Sequence, residues 1–202
     1  MAKLNAPLMS FAASGKLAKS LVYATWKGID TVRQYVVPSN PQTPAQQAQR
    51  SLLTMAVNLW RASWLSQEFR ESWNKLASTR GLAMSGFNLF TGQVTKLAAE
   101  DPDASIASAI DTPGGNKLEV FCKNIDDGSA GDEKGDFELL YGTSPDDLVG
   151  SATATLAAGE AEFTIDSAII EDDTPGWGLL RKASASGKVY DRSGIFPFTN
   201  GS

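Results

Sequence analysis

The chain has 202 residues, 42% of them hydrophobic and 20% charged, which is typical of a folded globular protein of one or two domains. It contains no histidine, which excludes catalytic triads with a histidine base, HExxH zinc sites and most transition-metal centres. Its single cysteine, Cys122, excludes a disulfide within the chain, and a strand-like setting between Phe121 and Lys123 predicts that this side chain is buried.

Charge is divided unevenly along the chain. Residues 1–100 carry eleven Lys or Arg against four Asp or Glu, a net charge of +7, and residues 101–202 carry seven against nineteen, a net charge of −12. Such asymmetry indicates different partners for the two halves. With a change of residue pattern near position 100, it predicts two domains, residues 1–103 and residues 104–202, joined through a Pro/Asp/Ala-rich stretch at 101–105.

The first regular pattern in the chain is a β-hairpin. Residues 31–37 alternate with the two-residue period of a half-buried strand, which ends at Pro38. A strand over residues 17–26 precedes it, and residues 27–30 between the two strands include a glycine suited to a turn. The sequence therefore predicts an antiparallel hairpin arm.

A helix is predicted directly after the hairpin. Thr43 is placed as its N-cap, Pro44 occupies the first helical position, and Gln46 completes a capping box. The helix carries an apolar stripe that requires a partner surface, at Ala48, Leu52, Met55, Ala56 and Leu59.

Two further helices are predicted before residue 100. The second is capped by Ser66 and ends at Arg80-Gly81, where a cation and a glycine suit a helix C-terminus. The third begins near Ser85 and carries Phe87 and Phe90 on one side. The N-terminal half is thus expected to be a hairpin followed by three helices.

From residue 105 the pattern changes to short strands separated by turns. Seven such strands are typical of a β-sandwich. They are predicted over residues 105–110, 117–122, 137–141, 151–156, 161–165, 178–185 and 189–198.

The sequence carries no recognisable set of catalytic residues. The acidic pairs of the second half lie in turn-rich stretches and are typical of solvated loops. Residues 126–132 have the hard oxygens that calcium prefers without the spacing of a known calcium loop, so calcium binding there stays open. No phosphate-binding GxxxxGK[ST] or GxGxxG motif is present. We therefore expect a non-enzymatic protein without a cofactor.

The basic first half favours a protein partner. Its cations are dispersed rather than clustered, which argues against nucleic acid, and no apolar run is long enough to cross a membrane. Four of the five tryptophans lie in this half, and large aromatics with arginine are typical of protein interfaces. Core packing is the alternative for each tryptophan. The predicted interface residues are Trp26, Lys27, Arg33, Tyr35, Arg50, Trp60 and Trp64.

The second half resembles a fibronectin type III domain. Residues 137–148, FELLYGTSPDDL, look like its third strand and following turn, and residues 178–196 look like its final hairpin. The tryptophan usual in its second strand is replaced here by Phe121 or a neighbour. Together with the predicted hairpin and helices, the resemblance implies an α+β protein in which a hairpin and helical domain precedes an all-β Ig/fibronectin III-like sandwich. Such modules serve as spacers or binding units.

The first half is similar to a family of small phage and prophage structural proteins. The resemblance implies a virion component that is assembled in the host cytoplasm and has other virion proteins as partners. It is carried by Trp26-Lys27-Gly28, Val32-Arg33, Pro38, Asn40-Pro41, Thr43, Gln46, Arg50, Trp60, Trp73-Asn74 and Ser85-Gly86-Phe87-Asn88-Leu89-Phe90.

These observations lead to a hypothesis of function with two alternatives. The chain is expected to be a capsid-associated or decoration protein that docks through its N-terminal domain, displays an acidic sandwich and forms a homo-oligomer in the particle. A tail or neck adaptor is the first alternative. A module that binds host-surface glycans is the second, with Trp177 and Tyr190 as aromatic platforms and burial of both rings as the competing expectation.

Overall fold

The computed structural model describes residues 2–3, 15–17, 20–26, 29–37, 39–40, 42–184 and 187–201. Within these residues the protein is α+β, with three helices and three antiparallel sheets, which confirms the predicted class. The chain divides into two compact units, Met1–Thr43 and Pro44–Ser202. None of the helices in the described ranges is long and apolar enough to cross a membrane.

The first unit contains a four-stranded sheet. Strands β3 (Leu21–Trp26) and β4 (Ile29–Gln34) pair antiparallel and confirm the predicted hairpin arm. The short strands β1 (Ala2–Lys3) and β2 (Gly15–Leu17) flank them, in the order β1-β4-β3-β2. Residues 35–37, which the sequence assigned to the second strand, follow β4 without regular structure. The turn residues 27 and 28 and Pro38 lie outside the described residues.

The three predicted helices are present: α1 (Pro44–Arg61), α2 (Gln67–Thr79) and α3 (Gly86–Glu100). α1 begins at the predicted proline. The Ser66 hydroxyl accepts a hydrogen bond from the amide of Phe69 at 3.2 Å, which confirms it as the N-cap of α2. At the other end of α2, Gly81 takes a left-handed φ of +63°, which glycine adopts without steric cost.

Side-chain hydrogen bonds fix where α1 and α3 meet the rest of the chain. Arg70 in α2 donates from Nε to the carbonyl of Trp60 and from Nη2 to that of Ala62, each at 3.0 Å. These bonds satisfy two carbonyls at and just after the end of α1, which have no partner within the helix. The Ser85 hydroxyl accepts from the amide of Asn88 at 3.3 Å and caps α3.

Eight strands follow the helices and form two antiparallel sheets. One sheet has the order β5-β6-β9, and the other has the order β11-β10-β7-β8 with β12 also paired to β10. The predicted strands agree with the observed ones to within a few residues, except that the last one is split in two. The bounds are β5 (Ser105–Asp111), β6 (Lys117–Asn124), β7 (Asp136–Gly142), β8 (Gly150–Thr155), β9 (Glu160–Thr164), β10 (Pro175–Ala183), β11 (Val189–Asp191) and β12 (Phe196–Thr199).

The last predicted strand is interrupted at Arg192 because this residue bonds to both sheets. Its amide donates to the carbonyl of Leu180 in β10 at 2.8 Å, and its carbonyl accepts from the amide of Ala107 in β5 at 2.9 Å. The backbone at Arg192 therefore leaves the regular ladder between β11 and β12.

Helices and strands of the second unit share one hydrophobic core. Alternate residues of β6 and β7 are buried in it, and so are residues of all three helices. The Phe69 ring of α2 stacks on the Phe196 ring of β12, with 5.5 Å between ring centroids. The amide of Ile195 donates to the carbonyl of Ser72 at 3.1 Å, so the chain before β12 lies directly against α2.

The boundary between the compact units lies after Thr43, whereas the sequence predicts a division after residue 103. The stretch expected to act as a linker is part of the packed structure: Ala104 and Ser105 are completely buried. The helices belong to the second unit because they pack on one another and on strands that follow them, as in the pair Phe69 of α2 and Phe196 of β12.

Candidate docking surface

The sheet of Met1–Thr43 has no buried side chain among its described residues. Leu17 of β2 is apolar and 45% exposed, and in the segment that follows β4 Val36 is 67% and Val37 73% exposed. A stable sheet normally buries one apolar face against a second layer. Apolar side chains left open on such a sheet are typical of a surface that a partner covers.

A cleft on this sheet combines cations with an aromatic ring. The Lys16 ammonium lies 4.9 Å from the centre of the Tyr35 ring, within cation–π distance. The cleft has a volume of about 650 Å³ and is also lined by Val22, Arg33 and Val36. Residues 1–43 carry five Lys or Arg and one acid, Asp30, a net charge of +4. A complementary surface would therefore be acidic and partly apolar.

Side-chain hydrogen bonds hold the end of the hairpin in shape. The Thr25 hydroxyl donates to the Asp30 carboxylate at 2.6 Å, and the Thr31 hydroxyl donates to the carbonyl of Ala24 at 2.8 Å. These cross-strand pairs stabilise the register of β3 and β4. The only acid of the first unit is thus engaged within the hairpin, and the charge it presents is basic.

Two of the predicted interface residues meet on the sheet. Arg33 is exposed on β4, and Tyr35 follows that strand with a half-buried ring. Both line the cleft. Trp26 is the last residue of β3, opposite Ile29, but its side chain and the whole of Lys27 lie outside the described residues.

The other three predicted interface residues belong to the second unit. Arg50 is exposed on α1. Trp60 is half-buried, and its ring centroid lies 5.7 Å from that of Phe87 and 5.1 Å from that of Phe90, so it packs between α1 and α3. Trp64 is half-buried beside Gly128, on a groove of about 500 Å³. Trp60 therefore follows the core-packing alternative.

The predicted apolar stripe of α1 is covered only in its second half. Ala56 and Leu59 are buried, Leu52 and Met55 are half-buried, and Ala48 is exposed. The first eight residues of the helix, 44–51, are all exposed. The beginning of α1 is therefore a further accessible surface of the second unit.

The two predicted glycan platforms differ in accessibility. Trp177 on β10 is half-buried and lines a groove beside α2. Tyr190 on β11 is only 7% exposed. Burial and a hydrogen bond with Glu100 raise the pKa of its hydroxyl above the ordinary value. Tyr190 offers too little ring surface to serve as a platform, whereas Trp177 can be reached.

The acidic loops form a groove of about 630 Å³ lined by Asp101, Asp103, Asn124, Asp126, Asp127, Ser129, Asp132, Glu133 and Lys134. The Asp127 carboxylate accepts from the amide of Ser129 at 2.8 Å, and this bond lowers its pKa. The Asp126 carboxylate accepts from the amide of Asp127 at 2.7 Å. Within the described part of the chain, no group of three or more Cys, Asp or Glu side chains is placed to hold a metal ion.

A buried cluster of charges, which no pattern in the sequence predicts, lies under this groove. Glu133 Oε1 is 2.7 Å from Nη2 of Arg192 and 3.1 Å from Nζ of Lys182, and Oε2 accepts from the amide of Ser105 at 2.6 Å. The Lys182 ammonium also lies 4.5 Å from the centre of the Phe137 ring. One carboxylate is thus paired with two cations, Lys182 and Arg192, that come from parts of the chain distant from Glu133.

The burial of this cluster has electrostatic consequences. Arg192 is completely buried, and burial lowers the pKa of its guanidinium. Its Nε and Nη1 atoms have no hydrogen-bond partner among the residues that the structure describes. Cys122 is buried as predicted, and burial together with the nearby Glu133 raises its pKa to about 12. The thiol is therefore protonated and unsuited to nucleophilic chemistry.

Comparison with known proteins does not extend these observations. No protein-family model, curated protein or solved structure that was compared with the chain matches it.

Proposed function

We propose that this chain is a non-enzymatic structural protein of a bacteriophage particle and that it docks on other virion proteins through the sheet of Met1–Thr43. The observation that carries the proposal is that this sheet has no buried side chain among its described residues, while Leu17 of β2 and also Val36 and Val37, which follow β4, are exposed. The phage context comes from the resemblance of the first half to phage structural proteins.

Docking would cover apolar side chains that the described residues of the first unit leave exposed. Burial of one leucine or valine side chain is worth about 1.5–3 kcal/mol, so covering even these three side chains would contribute substantially to association. Arg33 and Tyr35 at the cleft are of the residue types that interfaces concentrate. The partner surface would be acidic, because the first unit is basic.

A second copy of the chain is one partner with that chemistry. Residues 44–202 carry thirteen Lys or Arg against twenty-two Asp or Glu, a net charge of −9. Opposite charges on the two units favour association of one copy with the next and speed their encounter. A homo-oligomer within the particle is consistent with this difference in charge.

We propose that the strands of the second unit form an Ig/fibronectin III-like sandwich. Support comes from the strand order, in which the first, second and fifth of the eight strands form one sheet and the third, fourth, sixth, seventh and eighth form the other. Buried residues of both sheets lie in one core, as the facing layers of a sandwich do. Such a module, acidic on its surface, suits display on a capsid as a decoration protein.

Reconstitution tests the docking proposal. Particles from a phage deleted for this chain are mixed with the purified chain and pelleted, and the bound chain is quantified by mass spectrometry. We expect the wild-type chain to pellet with the particles, Arg33→Glu to bind at least about tenfold more weakly, and the control Lys96→Glu, an exposed cation of α3, to bind normally.

Two outcomes would contradict the proposal. One is a wild-type chain that stays in solution as a monomer in the presence of particles. The other is Arg33→Glu that binds as well as Lys96→Glu, which would show that the sheet is not the docking surface. Labelling the bound chain for electron microscopy separates a capsid decoration from the alternative, a tail or neck adaptor.

A further inference from the structure

We propose that the groove between α2 and the C-terminal strands is a binding site for a neutral saccharide. The groove has a volume of about 460 Å³, a size typical of small-ligand sites. One wall is apolar and comes from the strands, and the other is polar and comes from the helix. The residues that carry the proposal are Trp177, Pro197, Glu68, Glu71, Asn74 and Lys75.

The groove is built on tightly packed elements. The amide of Ile195 donates to the carbonyl of Ser72 at 3.1 Å, and the rings of Phe69 and Phe196 stack beneath, 5.5 Å between centroids. A Cβ at Gly194 would lie 2.2 Å from the Ser72 carbonyl carbon, so the two backbones touch. Walls held in this way are preorganised, which lowers the entropic cost of binding.

The apolar wall presents an aromatic platform. Trp177 in β10 lies opposite Pro197 in β12 in the register of the sheet. Its indole ring is half-buried, and Pro197 is exposed beside it. The C–H face of a pyranose ring packs on an indole face in the same way as other apolar groups, and a saccharide thereby covers the exposed part of the ring.

The polar wall provides hydrogen-bonding groups for hydroxyls. Glu68, Glu71 and Asn74 are exposed on α2 along the groove. The Asn74 carbonyl oxygen accepts from the amide of Gly86 at 2.7 Å, which orients the side-chain amide. Glu71 accepts from Nε2 of Gln67 at 2.9 Å. Hydrogen bonds from sugar hydroxyls to carboxylates are stronger than those to neutral acceptors.

The charges in the groove select a neutral ligand. The Lys75 ammonium lies 5.4 Å from the centre of the Trp177 ring and opposes a cation at the platform. Glu68 and Glu71 oppose an anion along the opposite wall. A ligand with an apolar face, a hydroxyl-bearing edge and no charge satisfies both walls, and this is the chemistry of a neutral saccharide.

Fluorine NMR of the full chain labelled with 5-fluorotryptophan tests the site. The five tryptophans give separate probes, and Trp177→Phe assigns the relevant signal. The probes to be titrated are glucose, galactose, mannose, N-acetylglucosamine, lactose, maltose, cellobiose and chitobiose. We expect at least one of them to shift the Trp177 signal saturably, with Kd raised about tenfold or more by Trp177→Ala.

Control variants separate binding from folding. Glu71→Gln changes an exposed helix residue and leaves the core intact, so weaker binding by this variant identifies the polar wall. Trp64→Phe changes a half-buried tryptophan outside the groove and should leave the affinity unchanged.

Three results would overturn the assignment. They are a Trp177 signal unmoved by every saccharide of the panel, equal affinity in wild type and Glu71→Gln, and a shift caused by a proline-rich peptide but by no saccharide. The groove lies wholly within Pro44–Ser202. Failure of the docking experiment would therefore leave this result unaffected, and the reverse also holds.

Discussion

Arg80 and Asp191 form a bidentate ion pair that connects the end of α2 to β11. Nη1 of the arginine lies 2.6 Å from Oδ2 of the aspartate, and Nη2 lies 3.0 Å from Oδ1. Gln93 of α3 donates to the same carboxylate at 3.3 Å. Because Asp191 is only 8% exposed, this pair is more strongly coupled than an ordinary surface ion pair.

We predict that Asp191→Asn lowers the free energy of unfolding by about 1–2 kcal/mol, since it removes a charge-assisted pair and leaves Arg80 without its counter-ion. Urea unfolding followed by circular dichroism and tryptophan fluorescence measures the change. Lys117→Gln, at an exposed pair with Glu162, is the control and should cost less than about 1 kcal/mol. Separate transitions for helices and strands in the wild type would contradict a shared core.

The second prediction concerns the contribution of the buried Glu133 carboxylate to stability. Glu133→Ala leaves Arg192 and Lys182 buried without their common counter-ion, so we expect a loss of about 3–5 kcal/mol in the free energy of unfolding. Glu162→Ala removes a half-exposed carboxylate from β9 and should cost less than about 1 kcal/mol. Equal midpoints in urea for these two variants would show that the cluster contributes no stability.

The third prediction concerns the loss of stability when a side chain is added at Gly194, which lies against α2. A methyl group in Gly194→Ala would lie 2.2 Å from the Ser72 carbonyl carbon and 2.3 Å from the Trp73 amide nitrogen, and backbone atoms cannot give way cheaply. We expect a loss of about 3 kcal/mol or more, measured as a lower melting temperature.

Gly92 in α3 is the matched control for that substitution. A Cβ there meets nothing within 4 Å, so Gly92→Ala should stabilise the protein by about 0.5–1 kcal/mol through helix propensity. If both alanine variants melt alike, close packing between α2 and the chain before β12 is wrong.

The raised pKa of Cys122 predicts a dependence of stability on alkaline pH. The thiol has a pKa of about 12 in the folded chain against 9.0 ordinarily. The contribution of this thiol to the free energy of unfolding is therefore fully present below pH 9.0. It is lost as the pH rises towards 12, by about 1.4 kcal/mol per pH unit. Unfolding free energies measured on both sides of pH 9.0 should fall more steeply for the wild type than for Cys122→Ala.

Chemical labelling provides an independent check on Cys122. A thiol reagent should leave the native chain unmodified and should react after denaturation, since the buried side chain stays protonated. Rapid labelling of the native chain, or identical alkaline slopes for wild type and Cys122→Ala, would contradict the assigned environment.

The local elements of this fold could be predicted because their signals lie within a few residues of each other. Pro44 starts α1, Ser66 caps α2, and Gly81 follows its end, all as the residue types indicate. The alternation of hydrophobic residues along β6 and β7 matches the alternation of buried side chains in these strands. The final strand was predicted as continuous because no local signal marks Arg192, whose partners Leu180 and Ala107 are distant in the chain.

The candidate sites were predicted less completely because burial depends on long-range packing. Trp60 and Tyr190 have the residue types of binding platforms, but the fold packs the first against α3 and buries the second. The partners of Trp177 in its groove come from α2, about a hundred residues earlier in the chain. No spacing in the sequence indicates that contact.

The amino-acid sequence by itself determined the helices, the strands and the hairpin, because caps, turns and hydrophobic periods act locally. It also determined the division of charge between the halves and, through the lack of histidine, the exclusion of histidine chemistry. Only the tertiary structure decided that the helices share a core with the later strands, that Glu133 pairs with two buried cations, and that the described part of the first sheet has no buried side chain. These properties arise from contacts between residues far apart in the chain, whose energies depend on how the whole fold packs.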